Sequence, residues 1–356
     1  MIFLTTAGQT YANERFDDAV TVLAPGVRLV GTRHYGSSPS QPLITTGPGT
    51  ILEHPYLEGS PGQRRGILVN SADVYIARPE IYGITYTDDA QGIVGWDGTR
   101  NLVVDGGHIE ASGENIMFGG ASPTTEAGTP QDILISGVTL RKPLEWKTKA
   151  AYGYLTCKNL FEIKNGKRIT VEDCRGLNSW RDGQDGYAVL LTVQDQDRTA
   201  PWTTIEDIAL RRNTFTNVAN GVQILGRDYR TASVRMRNIT IEDTEFELAP
   251  AANGGRGALF SINDGPDGLA LRRITARSRS LPNSFLAFEN GVTTELEVDR
   301  LDVFEGEYGI HSPTAALGTA TLTAYAPGYR WSNVTVRRDP AVGRNIPYPA
   351  GTTVIG

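Results

Sequence analysis

Charged and amide side chains gather around four apolar runs in the middle of this sequence: NIMFGG at 115–120, NLFEIKN at 159–165, YAVLLTVQD at 187–195 and GVQILGRD at 221–228. Glu114, Asn115, Lys158, Glu162, Lys164, Asn165, Gln184, Asp185, Asp195, Arg227 and Asp228 lie in or beside them. Trp146, Trp180 and Trp202 fall on the adjoining stretches. Carboxylates, cations, amides and aromatic plates around one groove suit a sugar polymer. Two reactions are open. Glycoside hydrolysis needs two carboxylates, about 5 Å apart for retention or about 6.5–9.5 Å for inversion. Glu114 with Glu162, or Glu162 with Asp228, could provide them. Elimination at a uronate needs a base beside the α-proton and a cation on the carboxylate; Lys158, Lys164 or Arg227 could fill either part with a shifted pKa. The candidate catalytic set is therefore Glu162, Lys164, Glu114 and Asp228. Asn115, Lys158, Trp146, Trp180, Gln184 and Arg227 are the candidate substrate contacts.

A plainer reading stands beside this one. Glu162 sits mid-strand between Phe161 and Ile163, and with Lys164 it could form a polar ladder that satisfies only itself. The tryptophans could equally pin the insertions, and Lys158, Arg227 and Asp228 could anchor loops. Asp88-Asp89 reads as an isolated pair in a turn. His34, His54, His108 and His311 are scattered, and none forms a nucleophile motif with Ser or Cys. No metal-binding spacing of Cys and His occurs, so no metal site is assigned. No cofactor is implied; calcium is chemically open, but no motif points to it.

What must position these residues is a repeat. The runs RNLVVDGGHI at 100–109, QDILISGVTL at 131–140, KRITVEDCRGL at 167–177, EDIALRRNTF at 206–215, RNITIEDTEF at 237–246, DGLALRRITA at 267–276 and ELEVDRLDVF at 295–304 are copies of one another. They recur at roughly 28 to 38 residues, a period that means a solenoid, propeller or array. Within each copy apolar residues alternate with polar ones, the period of a strand with one buried face. A propeller blade would need four strands per repeat; two clear strands, sometimes three, are found. The expected fold is all-β: a single-stranded, right-handed parallel β-helix of roughly nine to eleven coils. Residues 1–65 read as an N-terminal cap with the first strands. Residues 66–328 read as the coils, and 329–356 as a last strand and C-terminal cover, the whole forming one structural domain. The insertions that fall between strands at 121–130, 141–157, 175–186, 195–205 and 228–236 cluster on the middle coils, where a solenoid often builds its binding face.

Composition narrows the partners. The net charge of −6 argues against nucleic acid and allows an anionic polysaccharide only at a local basic patch. Cys157 and Cys174 read as unpaired buried thiols, with Cys174 in an inward corner stack beside the equivalent Asn213 and Thr244. No apolar run is long enough for a membrane span. The opening MIFLTTAGQTYANERF lacks a basic region and a long apolar run, so no secretory signal is read in it. A virion-borne protein released by lysis would need none.

ASGENIMFGGASP at 111–123, KPLEWK at 142–147, KNLFEIKNGKRITVE at 158–172, QDGYAVLLTVQDQDRTAPW at 184–202, GVQILGRD at 221–228, AYAPG at 324–328 and YPAG at 348–351 resemble a family of bacterial right-handed parallel β-helix proteins. That family lies in the pectate-lyase-like superfamily, and its members are mostly uncharacterised. The resemblance runs from about residue 90 to the C-terminus. It implies the fold and carbohydrate work, but no mechanism. The expected function is that of an extracellular carbohydrate-active protein, a polysaccharide lyase or glycoside hydrolase. The alternative is a non-catalytic glycan-binding or structural β-helix of a virion tail or cell surface. A monomer or a homotrimer would suit either.

Overall fold

Strands with one apolar face must bury it, and here they do so by winding. The computed structural model describes residues 1–36, 40–148, 155–340 and 342–356. Parts of the loops expected at 36–42 and 141–157 therefore lie outside the described residues. Among the described residues, the chain forms three parallel sheets of 12, 12 and 13 strands. Each coil contributes one strand to each sheet, so the fold is the right-handed parallel β-helix expected from the repeat.

Sheet 1 starts at Ile2–Leu4, sheet 2 at Thr10–Ala12 and sheet 3 at Arg15–Phe16. The repeated isoleucines pile into a column: Leu102, Ile133, Ile169, Ile208, Ile239, Leu269 and Leu296 are successive register partners in sheet 2. None is more than 3% exposed. Neighbouring strands lie about 4.8 Å apart, so each of these side chains packs on the one below it in a single core running the length of the coil stack.

Two boundaries differ from expectation. The coils begin at Ile2, which pairs with Val20, and not at Gly66. The early strands are two or three residues long, too short to show alternation. The second difference is sheet 3, whose strands, such as Arg33–Tyr35 and Thr139–Arg141, sit immediately after those of sheet 2.

The corner between sheets 2 and 3 is uniform in every coil. Asn13, Gly31, His54, Arg78, Gly106, Gly137, Asp173, Arg212, Asp243, Arg273, Arg300 and Asn333 all hold φ between 47° and 67° there. This left-handed conformation turns the chain in one residue, and Gly, Asn and Asp adopt it most readily. The N–H of the corner residue joins the next coil, as from Asp173 to the Arg211 carbonyl (3.2 Å) and from Arg212 to the Glu242 carbonyl (3.1 Å). Two of the corner arginines bind the corner aspartate one coil earlier: Arg212 Nε donates to Asp173 (2.9 Å) and Arg273 Nε to Asp243 (2.5 Å).

Cys157 and Cys174 are both buried, and neither forms a disulfide among the described residues. The Cys174 N–H donates to Asn213 Oδ1 (2.9 Å), and Asn213 Nδ2 donates to the Val171 carbonyl (2.9 Å), so an inward polar corner stack exists at this point. At the far end the tail lies over the core: Ile346 is buried, Tyr348 packs 6.1 Å from Phe285, and Thr352–Ile355 adds the last strand of sheet 3.

Candidate active site

The outer face of sheet 1 carries the middle-coil cluster. Glu114–Phe118, Phe161–Ile163, Tyr187–Thr192 and Asn220–Leu225 are consecutive strands there. Phe161 and Ile163 enter the core, which turns Glu162 outward in register with Met117, Leu190 and Gln223. Although it faces away from the core, Glu162 is only 1% exposed. Asn159, Lys164 and Gln184 cover it. Asn159 Nδ2 donates to Glu162 Oε2 (2.7 Å) and to Gln184 Oε1 (3.0 Å). Lys164 Nζ stands 3.7 Å from Glu162 Oε1.

Glu114 lies beside this group and is 1% exposed. Gln91 Nε2 donates to its carboxyl (3.0 Å), and Lys158 Nζ approaches to 3.8 Å. Burial, reinforced by the negative charge of Glu162, pushes the Glu114 carboxyl up to about 7. Lys158 also ion-pairs with Asp89 and lies 3.8 Å from Asp88. Burial works against its charge, yet Glu114, Asp89 and Asp88 together hold the ammonium above its ordinary range. The Asp88-Asp89 pair is therefore not isolated: it clasps Lys158.

Three buried oxygens around these carboxylates receive no hydrogen bond from the described residues: Glu162 Oε1, Asn159 Oδ1 and Gln91 Oε1. Buried acceptors are nearly always paired, so a donor from water or a ligand would complete these three. Two clefts flank it. One of about 440 Å³ is lined by Glu162, Lys164, Gln184, Asp185, Gln194 and Gln223, among others. A smaller one of about 60 Å³ lies on the other side of Lys164, against Arg65, Asp89, Gln91, Trp96 and Met117. Among the described residues, no group of three or more His, Cys, Asp or Glu is placed to hold a metal ion.

Several expected site residues do other work. Asn115 points inward at a corner: its Nδ2 donates to the Ile109 and Arg141 carbonyls, and its Oδ1 accepts from Lys142 Nζ (2.9 Å). With no exposed surface it cannot be a substrate contact. Lys142 is itself fully buried and donates to the Ala111 and Gly113 carbonyls (2.7 Å each); burial lowers its ammonium to about 8. Trp146 and Trp180 are buried with Leu155 and Cys157 in a small satellite core. They pin the insertion and offer no stacking plate. Trp202 is half-buried.

Asp228 is a loop anchor. Its oxygens accept from the Asp195 and Arg230 N–H groups and pair with the Arg230 guanidinium (3.0 Å). Burial opposes ionisation, but these donors outweigh it and hold the carboxyl below its usual range. A carboxylate so fully engaged is not the partner of Glu162. Asp195 is occupied in the same way, by Ser122, Thr199 and Ala200. Arg227 is exposed. Of the expected residues, the structure thus brings together Glu114, Lys158, Glu162, Lys164 and Gln184. Sequence reasoning missed Gln91, Asp89 and Lys142. Gln91 could have been found by aligning QGIVG at 91–95 with ENIMF at 114–118, which the sheet pairs residue for residue.

No family model matches this chain, and no curated protein matches it. No helix is long and apolar enough to cross a membrane.

Proposed function

We propose that the outer face of sheet 1 at the middle coils binds a polysaccharide and hydrolyses it, in an extracellular or virion-surface setting. The observation that carries this reading is Glu162 on the floor of the larger cleft, with one carboxylate oxygen lacking a donor and a second carboxyl group, Glu114, held near neutral pKa beside it. Two adjacent carboxyls, one of them with a raised proton affinity, suit the acid and base of glycoside hydrolysis. Glu114, whose proton affinity burial raises to about 7, gives its proton toward the leaving oxygen. Glu162, beside Lys164, acts as base or nucleophile. The unpaired oxygens of Asn159 and Gln91 accept sugar hydroxyls.

Hydrolysis is favoured over elimination because Lys158, a candidate base, is kept charged by the acidic groups around it, Asp89 and Asp88 among them. A protonated amine abstracts nothing. A panel of polysaccharides assayed for new reducing ends and for unsaturated products tests this. Reducing ends without unsaturated product support hydrolysis; both signals together mean elimination and overturn the proposed roles.

One observation favours a second reading, glycan binding without cleavage. Glu114 and Glu162 are each only 1% exposed, so substrate reaches them only if Lys158 and Gln184 move aside. Retention of glycan with neither product signal would select this reading, with a monomer or trimer as the binding unit.

A further inference from the structure

A different face of the prism carries its own ligand signature. On the outer face of sheet 3, aromatic and acidic residues alternate in a checkerboard over early coils. Tyr56 is in register with Glu80, and Glu80 with His108, while Glu58 is in register with Tyr35 and Tyr82. The rings form a continuous series: Tyr35 to Tyr56 at 6.1 Å, Tyr56 to Tyr82 at 5.8 Å and Tyr82 to His108 at 5.2 Å, tilted by 50°, 45° and 30°. All four are half-buried, so each keeps part of its surface at the solvent. The polar tips are already oriented. Tyr56 donates its hydroxyl to Glu58 (3.1 Å), Tyr82 donates to Glu80, and His108 lies 3.0 Å from Glu110.

The series ends at a cleft of about 330 Å³ lined by Glu58, Tyr82, Thr85, Glu110, Pro143 and Glu145. The insertion after the coil containing Glu114 forms one wall, through the turn at Leu144–Lys147. Of its charged groups, only Glu110 is neutralised by an arginine among the described residues, with Arg141 Nη1 at 2.7 Å. Acidic oxygens accept hydroxyl or ammonium hydrogens and repel carboxylates. Amphipathic rings beside them suit the apolar faces of pyranoses.

We propose that this face is a second glycan-binding surface, separate from the cleft at Glu162, and that it takes a chain of neutral or amino sugars and not of uronates. Calorimetric titration of the intact protein with hexasaccharides of β-1,4-glucosamine, β-1,4-glucose and α-1,4-galacturonate tests it. Glucosamine or glucose oligomers bind, and galacturonate does not compete at this surface. Tyr82→Ala with Tyr56→Ala weakens binding about tenfold or more. Glu58→Lys, an exposed substitution that the fold tolerates, selectively weakens the glucosamine oligomer. Circular dichroism melting checks that each variant is folded. Binding at this face does not depend on cleavage in the other cleft, so failure of the cleavage reading does not touch it. Unchanged affinity in the folded double variant and in Glu58→Lys, or no binding of either neutral or amino oligomer to the parent protein, overturns the proposal.

Discussion

Lys164 Nζ lies 3.7 Å from Glu162 Oε1, an oxygen that no hydrogen bond from the described residues reaches. The pair is drawn together by charge but not closed. At this distance the two are an ion pair without a direct hydrogen bond, so a small shift of Lys164 would let a ligand hydroxyl reach the carboxylate.

If Glu162 is the base or nucleophile, Glu162→Gln lowers cleavage by about two to four orders of magnitude. Folding should survive, because the variant removes a desolvated charge and keeps the shape. Reducing-end assays and a melting curve on the same sample check both halves. Wild-type turnover in this variant would remove Glu162 from the chemistry.

The raised Glu114 carboxyl makes stability depend on pH. Its folded value of about 7 exceeds the ordinary 4.5. The contribution is fully present below the unfolded value and is lost as pH rises through the folded one. The loss between about pH 4.5 and 7 is on the order of 3 kcal/mol, before neighbouring groups are considered. Denaturant unfolding at pH 5 and pH 8 should show a smaller drop in Glu114→Gln than in the parent. Cleavage should also fall above about pH 7, as the acid loses its proton.

Asp228→Ala should loosen the loops at 195–200 and 228–233 without disabling the chemistry. The expected cost is about 2 kcal/mol, from donors left unpaired on Asp195 and Arg230. A kcat within about twofold of the parent, with an earlier melting midpoint, is the expected pattern. A hundredfold fall in kcat would restore Asp228 to the site.

Lys142→Ala should be more damaging, on the order of 3 kcal/mol or more. It strands the Ala111 and Gly113 carbonyls and Asn115 Oδ1 in a place with no water access. Urea midpoints compared with Ile208→Ala, a core truncation of about 2–5 kcal/mol, would set the scale.

The architecture was legible because alternation and repetition both act over long segments. Ile133, Ile169, Ile208 and Ile239 could be aligned by eye, and they stack. The first coils were missed because a three-residue strand such as Val20–Val22 contains barely one period. Glu162 stood out as a charge inside an apolar run, which is unusual enough to signal a site. Asn115 misled because corners break strict alternation: it and Ile116 are both buried. Trp146 and Trp180 misled for another reason, since sequence does not say which way an insertion folds its aromatic faces. Gln91 and Asp89 come from an earlier coil, and only the winding brings them beside Glu114.

The uniform bend that turns each coil from sheet 2 to sheet 3 has a consequence for how such a chain can change in size. The segment from Cys174 to Arg212 starts just past one bend and finishes on the next, with identical backbone geometry at both ends. Cut out or copied as a block, it leaves ends that already match. A molecule punctuated this way can lengthen or shorten by whole rungs, carrying or dropping the surface loops of each rung while its interior stays continuous.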